Sequence, residues 1–307
     1  MRAVVLDSIG GPEVLVVRDE PEPVLEDGRA VVNVRAAAIN FGDTLIRRGL
    51  YPQPPPLPWI PGNEVSGETE SGRRVIGLVG QTGGGYAERA PVDERWLFDL
   101  PADASFEEGA AFLVAYLTAW IPLTRQSTVK RGTRVLVHAA AGGVGSAAVQ
   151  AAVALGADVV ATVGSEPKLE LPLSLGAVQA VTYDRLAEIE PVDVVIDMVG
   201  GQLFADSIKL LRPLGVAIAI GFAGGPWPQL DPAHLVARNV GVQGFYLGRL
   251  MQFRPELVRE AALDLLRLWQ AGFVRPVVGA TFPLDEAGDA HRLIDERRST
   301  GKVVLVP

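Results

Sequence analysis

A glycine-rich turn at residues 140–145 carries the clearest chemistry in this sequence. Residues 135–145 read VLVHAAAGGVG, so a β-branched apolar run enters the turn, and an alanine-rich stretch without charge follows from Ser146 to Ala157. A strand, a glycine turn and a helix in this order bind the pyrophosphate of a dinucleotide, because backbone N–H groups and the positive helix end face the phosphates. Gly142 and Gly143 let the backbone approach a phosphate, and Gly145 lets the helix pack closely on the sheet.

The turn departs from the common G-x-G-x-x-G fingerprint, since Ala140 stands where the first glycine would be. Its position after a strand and before a helix therefore supports the prediction more than the glycines alone do. We assign four residues of the turn to a dinucleotide cofactor: Ala141, Gly142, Gly143 and Val144.

A second polar group follows the next predicted strand, in the segment Val163-Gly164-Ser165-Glu166-Pro167-Lys168. The end of this strand faces the adenosine ribose in a doubly wound sheet, where an acid favours NAD and a nearby cation accommodates the 2′-phosphate of NADP. Ser165 and Lys168 suit a 2′-phosphate, whereas Glu166 is either a ribose-binding acid or a first-turn acid that complements the helix dipole. We assign Gly164, Ser165 and Lys168 to the cofactor.

The elements around these residues predict an α/β protein. Strands predicted at 134–138, 158–163, 180–182, 192–198 and 215–220 alternate with helices, one of them at 166–175, which is typical of a Rossmann doubly wound parallel sheet. The first hundred residues are β-rich, with a strand predicted at 86–90 and a short helix at 41–48. One continuous helix is expected from Ser105 to Trp120.

Composition excludes several classes of function. The 307 residues suggest about two domains, and the net charge of −8 without a basic block argues against nucleic acid or an anionic membrane as partner. The chain has no cysteine, and its three histidines, His138, His234 and His291, share no metal-ligand spacing. We therefore expect no metal site. The N-terminus lacks the apolar core of a signal peptide, so we also expect a soluble cytoplasmic protein.

The AAGGVG turn, the segment Ile39-Asn40-Phe41-Gly42-Asp43 and GGPEVL at 10–15 together resemble the medium-chain dehydrogenase/reductase superfamily, in particular its zinc-free NADPH:quinone oxidoreductase (zeta-crystallin-like) branch. The likeness covers nearly the whole chain, and the AAGGVG turn combined with Ile39-Asn40-Phe41-Gly42-Asp43 is its most specific part. Further matching segments are Arg48-Gly49-Leu50-Tyr51-Pro52, Gly156-Ala157, Thr162-Val163-Gly164 and the ending from Arg297 to Pro307.

The resemblance implies a GroES-like catalytic domain at 1–115, completed by 273–307, and a Rossmann domain at 116–272. It implies NADPH as cofactor, with Lys168, Tyr183 and Arg297 around the adenosine phosphate. We also assign Gly221 and Phe245 to the cofactor. Asn40 and Tyr51 match polar positions that line the nicotinamide pocket, and we predict both as catalytic.

The activity predicted on this basis is hydride transfer from NADPH to a quinone or an α,β-unsaturated carbonyl without a metal. Asn40 and Tyr51 would orient the acceptor or stabilise charge on its oxygen, and solvent or a tyrosine would supply the proton. Other interpretations stay open, since Asn40 also suits a helix cap and Tyr51 also suits packing on the proline-rich loop.

Two departures from relatives bear on this prediction. Zinc alcohol dehydrogenases carry Gly-His-Glu where this chain reads Gly62-Asn63-Glu64, so the histidine ligand is missing. The segment Glu68–Arg73 is also shorter than the hairpin usual in relatives, which we interpret as a surface deletion.

We expect a small hydrophobic acceptor in a pocket between the two domains, with walls at 51–59, 222–227 and 245–246. The resemblance implies a homodimer, for which the extended segment Val240–Leu247 is a candidate sheet-edge seam. Three alternatives remain: enoyl-thioester reduction, an NADPH-binding sensor or scaffold without turnover, and binding of SH3-like domains through the polyproline segment 51–58.

Overall fold

The chain folds into two compact units. The computed structural model describes residues 1–24, 26–80 and 82–307. The first unit comprises Met1–Val114 and Pro276–Pro307, and the second comprises Ala115–Arg275. The chain therefore leaves the first unit once and returns to complete it.

Short strands dominate the N-terminal part, whereas strands and helices alternate in the middle. The N-terminal elements are β1 (Arg2–Leu6), β2 (Leu15–Asp19), β3 (Arg29–Ile39), α1 (Phe41–Arg47), β4 (Glu64–Thr69), β5 (Arg74–Leu78), β6 (Arg89–Asp93), β7 (Leu97–Asp99), α2 (Phe106–Ala110) and α3 (Leu113–Ile121). The middle elements are β8 (Arg134–Val137), α4 (Gly143–Ala154), β9 (Asp158–Val163), α5 (Glu170–Ser174), β10 (Gln179–Thr182), β11 (Val192–Asp197), α6 (Gly201–Ile208), β12 (Leu211–Ala219), α7 (Pro232–Arg238), β13 (Gly241–Gly244), α8 (Leu247–Phe253) and α9 (Pro255–Gln270). The chain ends with β14 (Val278–Pro283), α10 (Ala287–Asp295) and β15 (Lys302–Val306).

In the described part of the first unit, seven strands form one sheet. Their order is β14-β15-β3-β4-β5-β7, and β6 pairs with the first half of β3. β15 runs antiparallel to the end of β3, so the last strand of the chain closes on a strand from the first forty residues. This pairing places Lys302, the first residue of β15, near Asn40, which directly follows β3.

The second unit contains a six-stranded sheet in the order β10-β9-β8-β11-β12-β13, in which every pairing is parallel. Its strands are buried apolar runs such as Val135–Val137, as expected for a parallel sheet covered by helices on both faces. The strand order reverses between β8 and β11, and ligands of such sheets bind at the carboxyl ends of the strands beside that point. The predicted α/β fold, with a doubly wound parallel sheet and a separate β-rich unit, is therefore confirmed.

Some predicted elements were wrong in detail. The expected continuous helix from Ser105 is two helices, because α2 ends at Ala110 and α3 begins at Leu113. The helix expected at 166–175 begins as a 3-10 turn at Glu166–Lys168 and continues as α5. The strand expected at 86–90 begins only at Arg89, and α7 and α8 were not predicted.

Candidate functional site

The glycine turn of the second unit joins β8 to α4. Gly142 is the N-cap residue of α4 and has no side chain, so no side-chain oxygen caps the first turn, and that turn contains no acidic residue. N-cap positions are usually occupied by Ser, Thr, Asp or Asn, whose oxygens accept the first N–H groups. The positive end of α4, which is half-buried at Gly142–Val144, is therefore left for an anionic ligand.

Close backbone approach explains one of the glycines. A Cβ atom at Gly145 would lie 2.1 Å from the carbonyl oxygen of Ala139, so no side chain fits there. A Cβ atom at Gly142 would lie 3.3 Å from the same oxygen, which is tight but tolerable after a small shift. Ala139 itself has φ +46°, so the chain turns sharply before it enters α4. Gly145 thus serves helix packing, as the sequence predicted.

The buried side chain of His138, the residue that directly follows β8, connects the start of the turn to two neighbouring elements. The ring nitrogens of His138 each lie 2.6 Å from a hydroxyl oxygen, Nδ1 from Thr162 Oγ1 and Nε2 from Ser207 Oγ. Ser207 Oγ donates its hydrogen to the carbonyl of Leu203, so it accepts the hydrogen bond from His138 Nε2. A neutral imidazole carries only one N–H group, so Nδ1 accepts from the Thr162 hydroxyl. Burial lowers the pKa of His138 to about 3. His138 is therefore a neutral structural residue that links β8, β9 and α6.

The predicted adenosine end lies at the carboxyl end of β9. Gly164 and Ser165 are exposed, and Lys168 is half-buried, which lowers its pKa. The ring of Tyr183 lies beside Gly164, with Cε2 3.5 Å from the position that a Cβ atom would occupy there. Four of the predicted cofactor residues thus lie at two neighbouring strand ends, because Tyr183 directly follows β10.

Glu166, the residue that complicated the sequence interpretation, is exposed and begins the 3-10 turn at the end of β9. It has an electrostatic interaction with Arg185. The geometry therefore favours a first-turn acid whose charge is partly balanced by a neighbouring arginine.

Asp197 ends β11 beside the point of strand-order reversal and was not predicted from the sequence. Its carboxylate accepts the backbone N–H groups of Val199 (3.1 Å) and Gly200 (2.8 Å), while its carbonyl accepts the N–H of Ile220 at 2.8 Å. Burial raises the pKa of Asp197 to about 6 against these two donors. The aspartate fixes the turn after β11 in place.

The other predicted cofactor residues lie at neighbouring strand ends. Gly221 follows β12, and a Cβ atom there would lie 3.0 Å from the carbonyl oxygen of Met198. Phe245 follows β13, is buried, and donates its backbone N–H to Ala219 at 2.9 Å. Ala141, Gly142, Gly143, Val144, Gly221 and Phe245 therefore follow the carboxyl ends of β8, β12 and β13, on the edge where such sheets bind ligands.

In the first unit, Asn40 belongs to a buried polar cluster. Lys302 Nζ donates to Asn40 Oδ1 at 2.7 Å and to Glu64 Oε1 at 2.8 Å, and Asn40 Nδ2 donates to Glu64 Oε1 at 3.1 Å. Glu64 Oε2 accepts the backbone N–H of Val114 at 2.8 Å. Glu64 and Lys302 are 1% and 5% exposed, so they form a buried ion pair with no net charge. The side-chain amide of Asn40 is hydrogen-bonded to both. We call these three side chains the amide cluster.

The helix-cap interpretation of Asn40 is correct for its backbone. Asn40 is the N-cap residue of α1, and its N–H donates to Asp43 Oδ2 at 2.9 Å. The side-chain amide, however, is bound to Lys302 and Glu64, which sequence reasoning did not predict. Two signals in the sequence could have suggested this cluster: the Gly-x-Glu segment at 62–64 and the lysine at the start of the last strand. No local pattern, however, shows that Lys302 contacts Asn40, 262 positions earlier.

Tyr51 follows α1, and its ring packs back on the first turn of that helix. Its ring is half-buried and packs against the cluster of Leu6, Ile46 and Trp59, with Cε2 3.5 Å from the position of a Cβ atom at Gly42. The packing interpretation of Tyr51 is therefore supported, and Gly42 explains how its ring approaches the first turn of the helix that Asn40 caps.

A second buried network, next to the amide cluster, surrounds Asp43. Its carboxylate accepts hydrogen bonds from the Tyr86 hydroxyl (2.9 Å) and from Asn63 Nδ2 (3.1 Å) besides that from the Asn40 backbone. Burial raises the pKa of Asp43 to about 6 in spite of these three donors. Asn63 Oδ1 is buried without a hydrogen-bond partner among the described residues.

Arg297 is exposed in the turn after α10, with φ +56°, and belongs to the first unit, unlike the other predicted cofactor residues. Within residues 1–24, 26–80 and 82–307, no group of three or more His, Cys, Asp or Glu side chains is arranged to hold a metal ion. No helix in these ranges has the length and apolar character needed to cross a bilayer.

Comparison with known proteins agrees with both units. A family described as "Alcohol dehydrogenase GroES-like domain" matches residues 26–102, and one described as "Zinc-binding dehydrogenase" matches residues 143–266. The human quinone oxidoreductase is 32% identical over 327 aligned positions that cover 100% of this chain and 98% of that protein.

Solved structures extend this agreement to three dimensions. The quinone oxidoreductase from Thermus thermophilus, whose crystal structures include a complex with NADPH, is 42% identical with a TM-score of 0.91, and the match covers 100% of both chains. The Escherichia coli quinone oxidoreductase, crystallised with NADPH, is 31% identical with a TM-score of 0.92 over 100% of both chains. The chain belongs to the medium-chain dehydrogenase/reductase superfamily, in its quinone oxidoreductase branch.

Proposed function

We propose that this protein is an NADPH-dependent oxidoreductase that transfers hydride to a quinone or an α,β-unsaturated carbonyl without a metal ion. The observation that carries the proposal is the uncapped, acid-free N-terminus of α4, which follows β8 beside the point where the strand order reverses. Family membership supports the same reaction class, and relatives of known structure were crystallised with NADPH.

The cofactor side of the proposal uses residues of the second unit. The backbone of residues 141–144 would bind the pyrophosphate, while Ser165, Lys168 and Tyr183 would contact the 2′-phosphate and its surroundings. Gly221 and Phe245 would face the nicotinamide end, and we also propose Arg297 of the first unit for the adenosine phosphate. NADPH, when bound, supplies a hydride from C4 of its nicotinamide ring.

The acceptor side uses the first unit. Hydride transfer to a quinone or an enone places negative charge on the acceptor oxygen, and a positioned N–H or O–H donor stabilises that charge. Asn40 Nδ2 donates one hydrogen bond to Glu64 and carries a second N–H that no described protein atom accepts. This N–H would stabilise the developing charge, and the Tyr51 hydroxyl would orient the acceptor.

The donor set around Asn63 supports a metal-independent reaction. Asn63 stands where zinc alcohol dehydrogenases have a histidine ligand, and its Nδ2 donates to Asp43. The Asn63 side chain lacks the imidazole nitrogen that binds zinc in those enzymes, so the ligand set that holds zinc there is incomplete in this chain. Activity that survives exhaustive chelation would agree with this part of the proposal.

The first test compares NADPH and NADH oxidation with quinones, enones and enoyl thioesters in steady state. We expect turnover with 1,4-benzoquinone and a preference for NADPH that Lys168→Ala reduces. Turnover with enoyl thioesters alone would make the protein an enoyl-thioester reductase. Binding of NADPH without oxidation across the whole panel would identify a sensor or scaffold.

The second test addresses the two proposed catalytic residues. Loss of NADPH absorbance is followed by stopped flow with 1,4-benzoquinone in Tyr51→Phe and Asn40→Ala. We expect Asn40→Ala to lower the rate of the chemical step by roughly 100-fold, since one lost oxyanion donor costs about 10²–10³ in rate. Unchanged turnover in both variants would refute the assignment.

A further inference from the structure

The amide cluster contains two residues, Glu64 and Lys302, for which the proposed reaction has so far no role. Both are charged and almost fully buried, and burying an ion pair contributes little net stability even when its geometry is good. Their common neighbour is the side chain of Asn40, which contacts each of them within 3.1 Å. The function of the pair is therefore to be sought in what it does to this amide.

The two charges fix which end of the amide is which. Lys302 Nζ is only a donor and faces Asn40 Oδ1 at 2.7 Å, while Glu64 Oε1 is only an acceptor and faces Nδ2 at 3.1 Å. Rotating the amide by 180° would set an N–H group against the ammonium and an oxygen against the carboxylate. Both contacts would become repulsive, so only one orientation is stable.

The fixed orientation also decides which group remains available. Oδ1 is occupied by Lys302, and one N–H of Nδ2 is occupied by Glu64, so the group left over is the second N–H. We propose that Glu64 and Lys302 are positioning residues that hold Asn40 as a hydrogen-bond donor toward the acceptor oxygen. This inference rests on the proposed function and extends it to residues that never touch the substrate.

Glu64 is itself held in place by the backbone. Its Oε2 accepts the N–H of Val114 at 2.8 Å, so its Oε1 cannot move away to follow a rotating amide. A donor fixed before the reaction needs no reorganisation when charge develops, which is what makes such donors effective. The arrangement also selects for oxygen acceptors, since an inverted amide would instead favour a substrate that donates.

Lys302→Met and Lys302→Arg test the proposal directly. Lys302→Met removes the donor that binds Oδ1, so the lysine no longer opposes a rotated amide and the orientation of the Asn40 side chain is no longer fixed at both ends. We expect kcat/KM for 1,4-benzoquinone to fall about tenfold or more, with the Kd for NADPH unchanged. Lys302→Arg keeps the charge and the donors and should restore most of the rate.

A double variant separates positioning from stability. In Glu64→Gln combined with Lys302→Met the amide cluster contains no charge, so no unpaired charge is left there and the protein should fold. The oxygen of the introduced glutamine can still accept the N–H of Val114. The amide nitrogen of that glutamine then faces Asn40, which forces the Asn40 amide into the inverted orientation. We expect a Tm near that of the wild type together with a rate as low as that of Asn40→Ala.

The decisive measurement is a cycle with Asn40→Ala. A positioning residue acts only through Asn40, so Lys302→Met should cause no further loss of rate in the Asn40→Ala background. Losses that multiply in the double variant, or a wild-type rate in the Glu64→Gln and Lys302→Met combination, would overturn the inference. Lys209→Met, at an exposed lysine paired with Asp206, is the matched control and should keep the wild-type rate.

The same experiments distinguish this inference from the proposed function. A wild-type protein that does not oxidise NADPH with any acceptor refutes the function. A wild-type protein that is active, with an independent Lys302→Met effect, leaves the function intact and refutes the positioning role.

Discussion

Replacing Asp43 with asparagine should remove a pH dependence of stability that this one buried carboxyl causes. Asp43 is 1% exposed and accepts three hydrogen bonds, from the Tyr86 hydroxyl, Asn63 Nδ2 and the Asn40 backbone. An asparagine oxygen can keep the bonds from Tyr86 and Asn40. The new amide N–H group would face Asn63, whose buried Oδ1 has no partner among the described residues and becomes an acceptor when the Asn63 amide rotates.

The magnitude follows from the pKa of Asp43. Burial raises it from 3.8 to about 6, so the native state binds the proton more tightly than the unfolded state between these two values. The free energy of unfolding therefore falls as pH rises through this window, by about 1.4 kcal/mol for each unit. Over the whole window the loss amounts to about 3 kcal/mol, which a neutral asparagine does not suffer.

Urea unfolding of both proteins between pH 4 and pH 7, followed by tryptophan fluorescence and circular dichroism, measures this difference. The two signals must coincide, because a chain with two compact units can unfold in more than one step. We expect the unfolding free energy of Asp43→Asn, relative to the wild type, to rise by about 3 kcal/mol from pH 4 to pH 7. A difference that stays constant with pH would refute the reasoning, and the exposed Asp103→Asn should show that flat profile.

Three further predictions concern the second unit. Gly145→Ala should destabilise the protein by about 1–3 kcal/mol and abolish NADPH binding, because the new Cβ atom meets the Ala139 carbonyl. Gly142→Ala should have smaller effects on both stability and binding. Thermal unfolding and NADPH titration of the two variants measure this difference. Asp197→Asn should lower the free energy of unfolding by about 1–3 kcal/mol, because the side-chain NH2 group must face one of the two backbone N–H donors. Chemical denaturation at pH 7 measures this, and an unchanged midpoint would contradict it. Glu166→Gln should lower the Kd for NADPH by up to about fivefold and leave the Kd for NADH unchanged. The variant removes repulsion between the carboxylate and the 2′-phosphate, and an exposed charge pair contributes at most about 1 kcal/mol. Equal effects on both cofactors would exclude an interaction with the 2′-phosphate.

The sequence predicted the second unit well, because its signals are local. β-Branched runs, a glycine turn and a charge-free helix are each readable within twenty residues, and together they gave the parallel sheet and the turn at 140–145. The misplaced boundaries have local causes as well. The helix from Ser105 breaks between Ala110 and Leu113, shortly after Gly109, which the sequence pattern places inside one continuous apolar helix.

The amide cluster could not be predicted, since it depends on contacts across the sequence. Glu64 and Lys302 are separated by 238 positions and meet only because β15 pairs with β3, which itself pairs with β4. Neither residue stands in a charge pattern that signals burial. Periodicity identifies which face of a strand is apolar, but it does not show that a lysine on a buried strand has a carboxylate two strands away.

If the proposed function is correct, the two buried networks of the first unit orient polar groups where a metal ion acts in zinc alcohol dehydrogenases. Under the proposed function, Asp43 and its donors hold the Asn63 amide and the start of α1, while Glu64 and Lys302 hold the Asn40 amide. A metal polarises a carbonyl with its own charge, whereas an amide N–H group offers only a fixed dipole and depends on its orientation. A buried ion pair that adds little to stability is then useful because it makes the wrong orientation of that dipole repulsive at both ends.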